Sequence, residues 1–565
     1  MKYVIIYLSF ALGLFMFSCT SDFDEINTNP NAITQDEASA RYFLTVPQYV
    51  LYGPNRFPYW RAQLIHADRY AGHFTFGNHG CWWTDELGYS YDPAYTDATW
   101  DWLSGYLGTL DTYLKFTREG GEFENENMYA VGKIIKSLYF QMYTDIFGEI
   151  PYSEAAQEGI LLPKYDTQAE IYQGLISDLN EAMATIGDKT STGDGIQDLG
   201  ENDLYFGGNL QKWKKLANTL KLRIATRAMG AEGAGFATSA IEEALQNPLL
   251  SNESENALLD KDTEIDQFGS AAYGDVWHNF GGLGSKWTVS QTLLKYLIDN
   301  DDPRLSQYAQ PAPGGSIEIL RPNQENDPEG FELFPKRAQF LVDNMRAQGA
   351  EVSVEETSGG WMVTIPENQY YLGQPIRMNA QIKPLVRYEF YSQPSNWVIQ
   401  QKNQGSPIFP EIVMTAAESY FLQAQAAVNG MGGDAQALFQ EAIRQAMKLW
   451  EVSDGEIDAY LAEAELAQLN GTPEENLEKI AIQRWIAAYT DGFEAWSIVR
   501  KTGYPSELAN GVSDVELYGL GTINGAYPQR MRYGNGAYNS NGDNVNQAVN
   551  RQGADRQDTK LWFAK

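Results

Sequence analysis

Two cysteines and four histidines in 565 residues leave little material for thiol or metal chemistry. One cysteine, Cys19, sits just behind an N-terminal apolar run, so Cys81 stands alone in the body, and neither a disulfide framework nor a thiolate metal site is expected. His66, His73, His79 and His278 do not have zinc-protease spacing, and His73, His79 and Cys81 are close in sequence without matching a metal motif. Basic charge is also short: 41 Lys and Arg stand against 74 Asp and Glu, a net charge of −33. Such a surface repels a phosphate backbone, which excludes nucleic-acid binding and reads instead as a solvated, soluble exterior. Beyond the first 18 residues no apolar run is long enough to cross a bilayer as a helix. There is no Gly-x-Ser-x-Gly elbow, and GGLGSK at 281–286 lacks phosphate-loop spacing. With so many carboxylates, some pair at glycosidase spacing is inevitable, so carboxylate count is no argument for hydrolysis. The acidic loop STGDGIQDLGEND (191–203) has oxygen ligands for a structural Ca²⁺ but departs from the EF-hand pattern; no other cofactor is expected.

The N-terminus is informative. Residues 1–18, MKYVIIYLSFALGLFMFS, open on Lys2 and continue apolar to Phe17, the pattern of a secretory signal. Its run of about 15 residues is shorter than a spanning helix needs. Cys19 follows directly, where bacterial lipoprotein processing places a diacylglycerol on the thiol and an acyl chain on the new α-amino group. Ser18 and Met16 suit such a site, while Phe17 is bulkier than is common; ordinary cleavage with loss of Cys19 is the alternative. Residues 19–35 are acidic, then Asn- and Pro-rich, and read as a lipidated flexible tether. Asp22, Asp24 and Glu25 resemble the acidic export signals of surface lipoproteins.

Residues 36–565 read as one mainly helical domain. In 129–147, Ala130, Ile134, Leu138, Met142 and Ile146 form one row and Val131, Ile135, Tyr139 and Tyr143 the next, a broad apolar face that predicts a well-buried helix. A second helix is expected from Asp166 or Thr167 to Gly187 through Ile171, Leu175 and Leu179. A third carries Trp213, Leu216, Leu220, Ile224 and Ala228 and stops near Gly230, a fourth ends at Gly430, and a fifth places Ile482, Trp485, Ile486 and Tyr489 on one side. Ala-rich contacts suggest antiparallel helix pairs that are TPR-like without a regular 34-residue repeat. Three regions lack helical period: 73–102, 311–410 and 505–565. The middle one is read as an irregular insertion with short strand candidates WMVTI and KPLVRYEFY.

SLYFQMYTDIFGEIPYSEA (137–155) resembles the hallmark of the SusD/RagB-like family, nutrient-binding lipoproteins of the outer membrane. The resemblance continues in order through PKYDTQAEIYQGLISDLNEA, DLYFGGNLQKWKKLANTLKLRIATRA, DNDDPRLSQYAQP, MTAAESYFLQAQAAVNG, IAIQRWIAAYTDGFEAWSIVRKTGYP and the C-terminal YPQRMRYGNGAYNSNGDNVNQAVNRQGADRQDTKLWF. The WKKLAN and RKTGYP signatures are similar to a sub-branch distinct from the starch-binding founder. Glu149, Gln423, Gln425 and Phe563 depart from the commoner Asp, Glu and Trp. Physically these motifs read as scaffold: Gly148 supplies a positive φ, and Pro151 keeps Ile150 extended. Trp213, Asn218, Arg223, Arg484, Trp485, Trp496 and Arg500 read as packing and buried anchoring.

A sugar offers flat C–H faces and a rim of hydroxyls, so a binder needs exposed aromatic platforms beside hydrogen-bonding groups. Two segments fit. DRYAGHFTFGNHGCWWTDELGYSYDPAY supplies Trp82, Trp83 and Tyr89 with Arg69, Asn78 and His79; YGDVWHNFGGLGSKW supplies Trp277, Asn279 and Trp287. Capping of the helical core is the competing reading of these aromatics. The resemblance implies a lipid-anchored protein facing the cell exterior that binds an oligosaccharide and delivers it to a TonB-dependent SusC-like barrel, without enzymatic turnover. A peptide or amino-acid importer with the same lid role is the nearer alternative, and a secreted glycoside hydrolase the distant one.

Overall fold

The computed structural model describes residues 38–54, 58–76, 89–261, 286–399 and 408–565. In chain order the main elements begin with Thr45–Tyr52 (α1), a π-helical stretch Tyr59–Asp68 continued by Arg69–Ala71, and strand Phe74–Phe76 (β1). Then come Pro93–Thr117 (α2), Glu126–Phe147 (α3), the short strands Ile150–Pro151 (β2) and Tyr165–Asp166 (β3), Gln168–Ile186 (α4), Leu210–Ala228 (α5) and Phe236–Leu245 (α6). Strands Ala257–Leu259 (β4) and Trp287–Val289 (β5) precede Gln291–Asp299 (α7), Gly315–Leu320 (β6), Pro328–Ala347 (α8), Ser353–Glu356 (β7), Gly360–Ile365 (β8) and Glu411–Met414 (β9). The chain closes with Ala416–Val428 (α9), Ala435–Leu449 (α10), Asp454–Glu463 (α11), Pro473–Ala487 (α12), Gly492–Thr502 (α13) and Asn535–Gln552 (α14).

Helices α3 and α4, α5 and α6, α9 and α10, and α12 and α13 pack as successive neighbours, the TPR-like arrangement. Both apolar rows of α3 are buried, as are Trp213, Leu216, Leu220, Ile224 and Ala228 of α5. Local sequence sets the helix starts. Thr167 and Glu170 form a reciprocal capping box on α4, and Thr472 with Glu475 does the same on α12, where Pro473 occupies the first turn without needing an N–H.

Each region without helical period contains elements that its sequence disguises. Asp92 caps α2 through Ala94 N at 2.9 Å, and Pro93 starts it, so 93–102 is helical. The 311–410 region carries the 20-residue α8 and an antiparallel sheet in the order β6-β8-β7, with its own apolar cluster around Ile319, Phe334, Leu341 and Val363. WMVTI is strand β8, whereas KPLVRYEFY forms 3₁₀ turns at Lys383–Leu385 and Tyr388–Phe390. Pro384 has no N–H to give a ladder and a φ suited to a tight turn. In the C-terminal region α14 is rich in Asn and Gly, poor helix formers. It forms because Ala537, Asn541, Val545, Ala548 and Gln552 bury one face, with a kink at Asn541.

The 148–152 segment is scaffold. Gly148 ends α3 at φ 84°, and a Cβ there would fall 2.1 Å from Gln552 Oε1 of α14. Ile150–Pro151 continue as β2 and pair antiparallel with β3.

Candidate functional site

Strands β1 (FTF) and β5 (WTV) hold aromatic and β-branched residues that suit a pleated, packed surface. They pair antiparallel with Phe74 opposite Val289, Thr75 opposite Thr288 and Phe76 opposite Trp287. Gln374 locks this ladder from the side: its Nε2 donates to Phe76 O at 2.8 Å, and Thr288 Oγ1 donates to its Oε1 at 2.9 Å. The Lys383 ammonium donates to Phe76 O and lies 4.9 Å from the Phe76 ring centroid. The register has a consequence for the loops. The chain leaves β1 after Phe76 and enters β5 at Trp287, and these two residues face each other at one end of the two-stranded ladder. At that end the Lys286 ammonium sits 5.3 Å from the Tyr388 ring centroid.

Among the predicted contacts, three belong to the core. Arg69 and Tyr89 are each 2% exposed and Trp287 is 1% exposed. The Tyr89 ring lies 5.5 Å from Tyr70, with the guanidinium groups of Arg69 and Arg377 5.0 and 4.0 Å from its centroid. Trp287 meets Phe76 edge-to-face at 5.6 Å. Rings sealed in this way have no face for a sugar and a guanidinium so buried no reach to one, which corrects the expectation that these three are surface contacts. Asn78, His79, Trp82, Trp83, Trp277 and Asn279 lie outside the described residues, as does Cys19. Sequence reasoning missed Gln374, Lys383 and Tyr388; their place beside the ladder comes from chain segments far apart in sequence, and no local motif marks them.

The buried charges are structural. Arg223 Nε of α5 donates to Glu418 Oε1 of α9 at 2.7 Å, and its Nη1 donates to Gln141 Oε1 of α3 at 3.2 Å. Arg484 Nη2 of α12 donates to Glu418 at 3.0 Å and to Glu494 of α13 at 2.7 Å, while Arg227 pairs with both Asp145 and Glu494. Burial alone would raise the Glu494 carboxyl, but Arg227, Arg223 and Arg484 together hold it well below the usual carboxylate range. Asp491 lies beside this cluster and is pushed up to about 8 by burial and by the Glu494 charge. The cavities between these residues hold only about 20 Å³, room for one water and not for a ligand. The network therefore ties helices together, and the expected scaffold role of Arg223 and Arg484 agrees with their burial.

The described histidines are poor candidates for proton transfer. Burial lowers His66 to about 4 and His73 to about 3, and His73 Nε2 lies 3.1 Å from Trp485 O. No group of three or more His, Cys, Asp or Glu among the described residues could hold a metal ion. In the acidic 191–203 loop, Asp203 is saturated internally, accepting from Gln48 Nε2 at 2.8 Å and from Trp213 Nε1 at 2.7 Å.

The profile of a family described as SusD-like, starch-binding and associating with the outer membrane matches residues 37–342 and 366–534. It skips the end of α8 with all of β7 and β8, and stops short of α14. Among solved structures, a chitin-binding protein is 24% identical at a TM-score of 0.71, covering 93% of this chain and 100% of its own. A SusD-like protein from Bacteroides thetaiotaomicron VPI-5482 is 21% identical at 0.67, covering 93% and 98%, and a SusD homologue from Bacteroides uniformis ATCC 8492 is 22% identical at 0.62, covering 93% and 97%. At these identities the likeness is one of fold. No curated protein matches the chain. A profile match over most of the sequence and a helical fold shared over 93% of the chain agree: the chain belongs to the SusD-like family of starch-binding proteins that associate with the outer membrane.

Proposed function

We propose that this protein is a surface lipoprotein, anchored through Cys19, that captures a nutrient oligosaccharide and passes it to a TonB-dependent SusC-like barrel. The acyl chains hold the tether at the outer leaflet, and the helical body acts as a lid over the barrel mouth. Uptake energy enters through the barrel, so the lid has only to bind and release. The observation that supports this reading is the β1–β5 register, which sets Phe76, where the chain enters segment 77–88, opposite Trp287, just after segment 262–285. In this reading Trp82, Trp83 and Trp277 are the stacking platforms and Asn78, His79 and Asn279 the hydrogen-bonding partners. The binding role ascribed to the family and the name of one structural relative put starch and chitin oligosaccharides first among the ligands to try.

The test is a binding screen of the mature protein against starch oligosaccharides, chitin oligosaccharides and peptides, with Trp82→Ala and Trp83→Ala alongside. The expected result is glycan binding that weakens at least tenfold in the double variant, as loss of stacking platforms requires. Peptide binding without glycan binding would transfer the lid role to a peptide importer.

A further inference from the structure

A second candidate site lies where α2, α3, the 151–165 segment and α14 meet. They enclose a groove of about 460 Å³, within the usual size of small-ligand pockets. Its floor is aromatic: Trp100, Tyr143 and Tyr165 are 5%, 3% and 5% exposed, and the Trp100 and Tyr165 rings are parallel with centroids 6.4 Å apart.

The rings of this floor are packed, but their polar tips open onto the groove. Neighbouring tyrosines satisfy their hydroxyls inward, Tyr139 donating to Leu103 O at 2.7 Å and Tyr533 to Glu149 O at 2.6 Å. The hydroxyls of Tyr143 and Tyr165 and the indole N–H of Trp100 make no hydrogen bond among the described residues, and all three side chains line the groove. None of the three is among the fully buried polar atoms that lack a partner, so they open onto the groove, where water or the hydroxyl of a ligand completes them.

The walls define the occupant. Asp101 and Ser104 of α2 supply a carboxyl and a hydroxyl, and Ser540 and Asn541 of α14 face them; no Lys or Arg lines the groove. Burial raises the Asp101 carboxyl, with Asp97 adding to the rise. An anion therefore meets no cation and one acid. On the same stretch of α2, Gly105 and Gly108 are exposed, and a Cβ at either would meet nothing within 4 Å. Glycine inside a helix weakens it relative to alanine, and no contact among the described residues requires it at these positions. Their effect is a bare helix surface that a ring can approach closely. Leu161, 90% exposed, forms an apolar outer lip.

We propose that this groove is a second saccharide site, holding a neutral sugar unit by its hydroxyls against the polar tips of Trp100, Tyr143 and Tyr165, whose ring faces are packed against one another. It uses no residue of β1 or β5, and its α14 wall lies beyond the stretch matched by the family profile. The reading of the protein as a glycan binder guides only the choice of probes. Gly108→Trp fills the groove from an open helix face, and Tyr143→Phe with Tyr165→Phe removes only hydroxyls. Binding of maltotriose, chitotriose and glucuronate to the mature protein is measured by titration calorimetry and saturation-transfer NMR, with the thermal midpoint as a folding control. The proposal expects a neutral trisaccharide to bind, at least tenfold weaker association at the groove in Gly108→Trp, and a several-fold loss in the double Phe variant, both at an unchanged midpoint. Retention of this component in Trp82→Ala/Trp83→Ala is also expected. Loss confined to the Trp82 and Trp83 variants would overturn the groove and leave the loop reading standing; loss confined to Gly108→Trp would do the reverse. Absence of neutral binding, or glucuronate bound as tightly as the neutral sugars, overturns the proposal.

Discussion

Replacing Gly148 by alanine tests the claim that the hallmark segment is scaffold. The residue sits at φ 84°, ψ −116°, a backbone conformation that costs an L-residue about 1–3 kcal/mol. The added Cβ would fall 2.1 Å from Gln552 Oε1 and 2.8 Å from Leu561 Cδ2. Gln552 can swing away, but its Oε1 accepts from Glu149 N at 3.1 Å and its Nε2 donates to Tyr533 OH at 2.6 Å. Abandoning these buried bonds costs about 1–3 kcal/mol, so Gly148→Ala is expected to destabilise by roughly 2–6 kcal/mol. Gln552→Ala alone loses the same two bonds. In the double variant that loss is counted once, so the two changes are expected to be non-additive by about 1–3 kcal/mol. Urea unfolding followed by tryptophan fluorescence and circular dichroism measures all three. A Gly148→Ala variant within 0.5 kcal/mol of the parent, or full additivity in the pair, would refute the reasoning.

The buried acids give two further predictions. Asp491, raised from 3.8 to about 8, keeps a proton in the folded state that the unfolded chain releases. Stability should therefore fall as pH rises between those values and level off above them. Asp491→Asn can still cap Glu494 N, now 3.3 Å from Oδ1, and should flatten the pH 5–8 slope of unfolding free energy; parallel curves would count against the burial argument. Arg227 holds the depressed carboxyl of Glu494, whose stabilisation is present above 4.5 and lost as pH falls through the lower folded value. Arg227→Met, which leaves Asp145 and Glu494 short of a partner, should cost about 3–5 kcal/mol at pH 7 and less at pH 4; an equal cost at both would disprove the assignment.

Much of the scaffold was legible because helix burial has a local period. The rows through Ala130 and Val131, the Thr167 cap and the Gly148, Gly187 and Gly230 stops are all written within a few residues of where they act. Helix α14 was not, since Asn-rich residues read as loop until the rest of the fold buries Ala537, Val545 and Ala548. KPLVRYEFY was misread because its mixture of β-branched and aromatic residues suits a strand, while Pro384 and the contacts of Lys383 with Phe76 favour turns. For the site, residue types were readable and exposure was not. Tyr89, Arg69 and Trp287 have the chemistry of sugar contacts, yet Tyr70, Arg377 and Phe76 close over them.

By itself, then, the sequence determined the class of this protein: an apolar N-terminal run with a cysteine behind it, an acidic body, amphipathic helices and an ordered series of family motifs. Each is a property of neighbouring residues and needs no fold to be read. Tertiary structure decided which aromatics face inward, that β1 and β5 pair although about two hundred residues separate them, and that α2 and α14 enclose a groove. These depend on chain segments hundreds of residues apart, whose meeting is set by packing and not by local pattern.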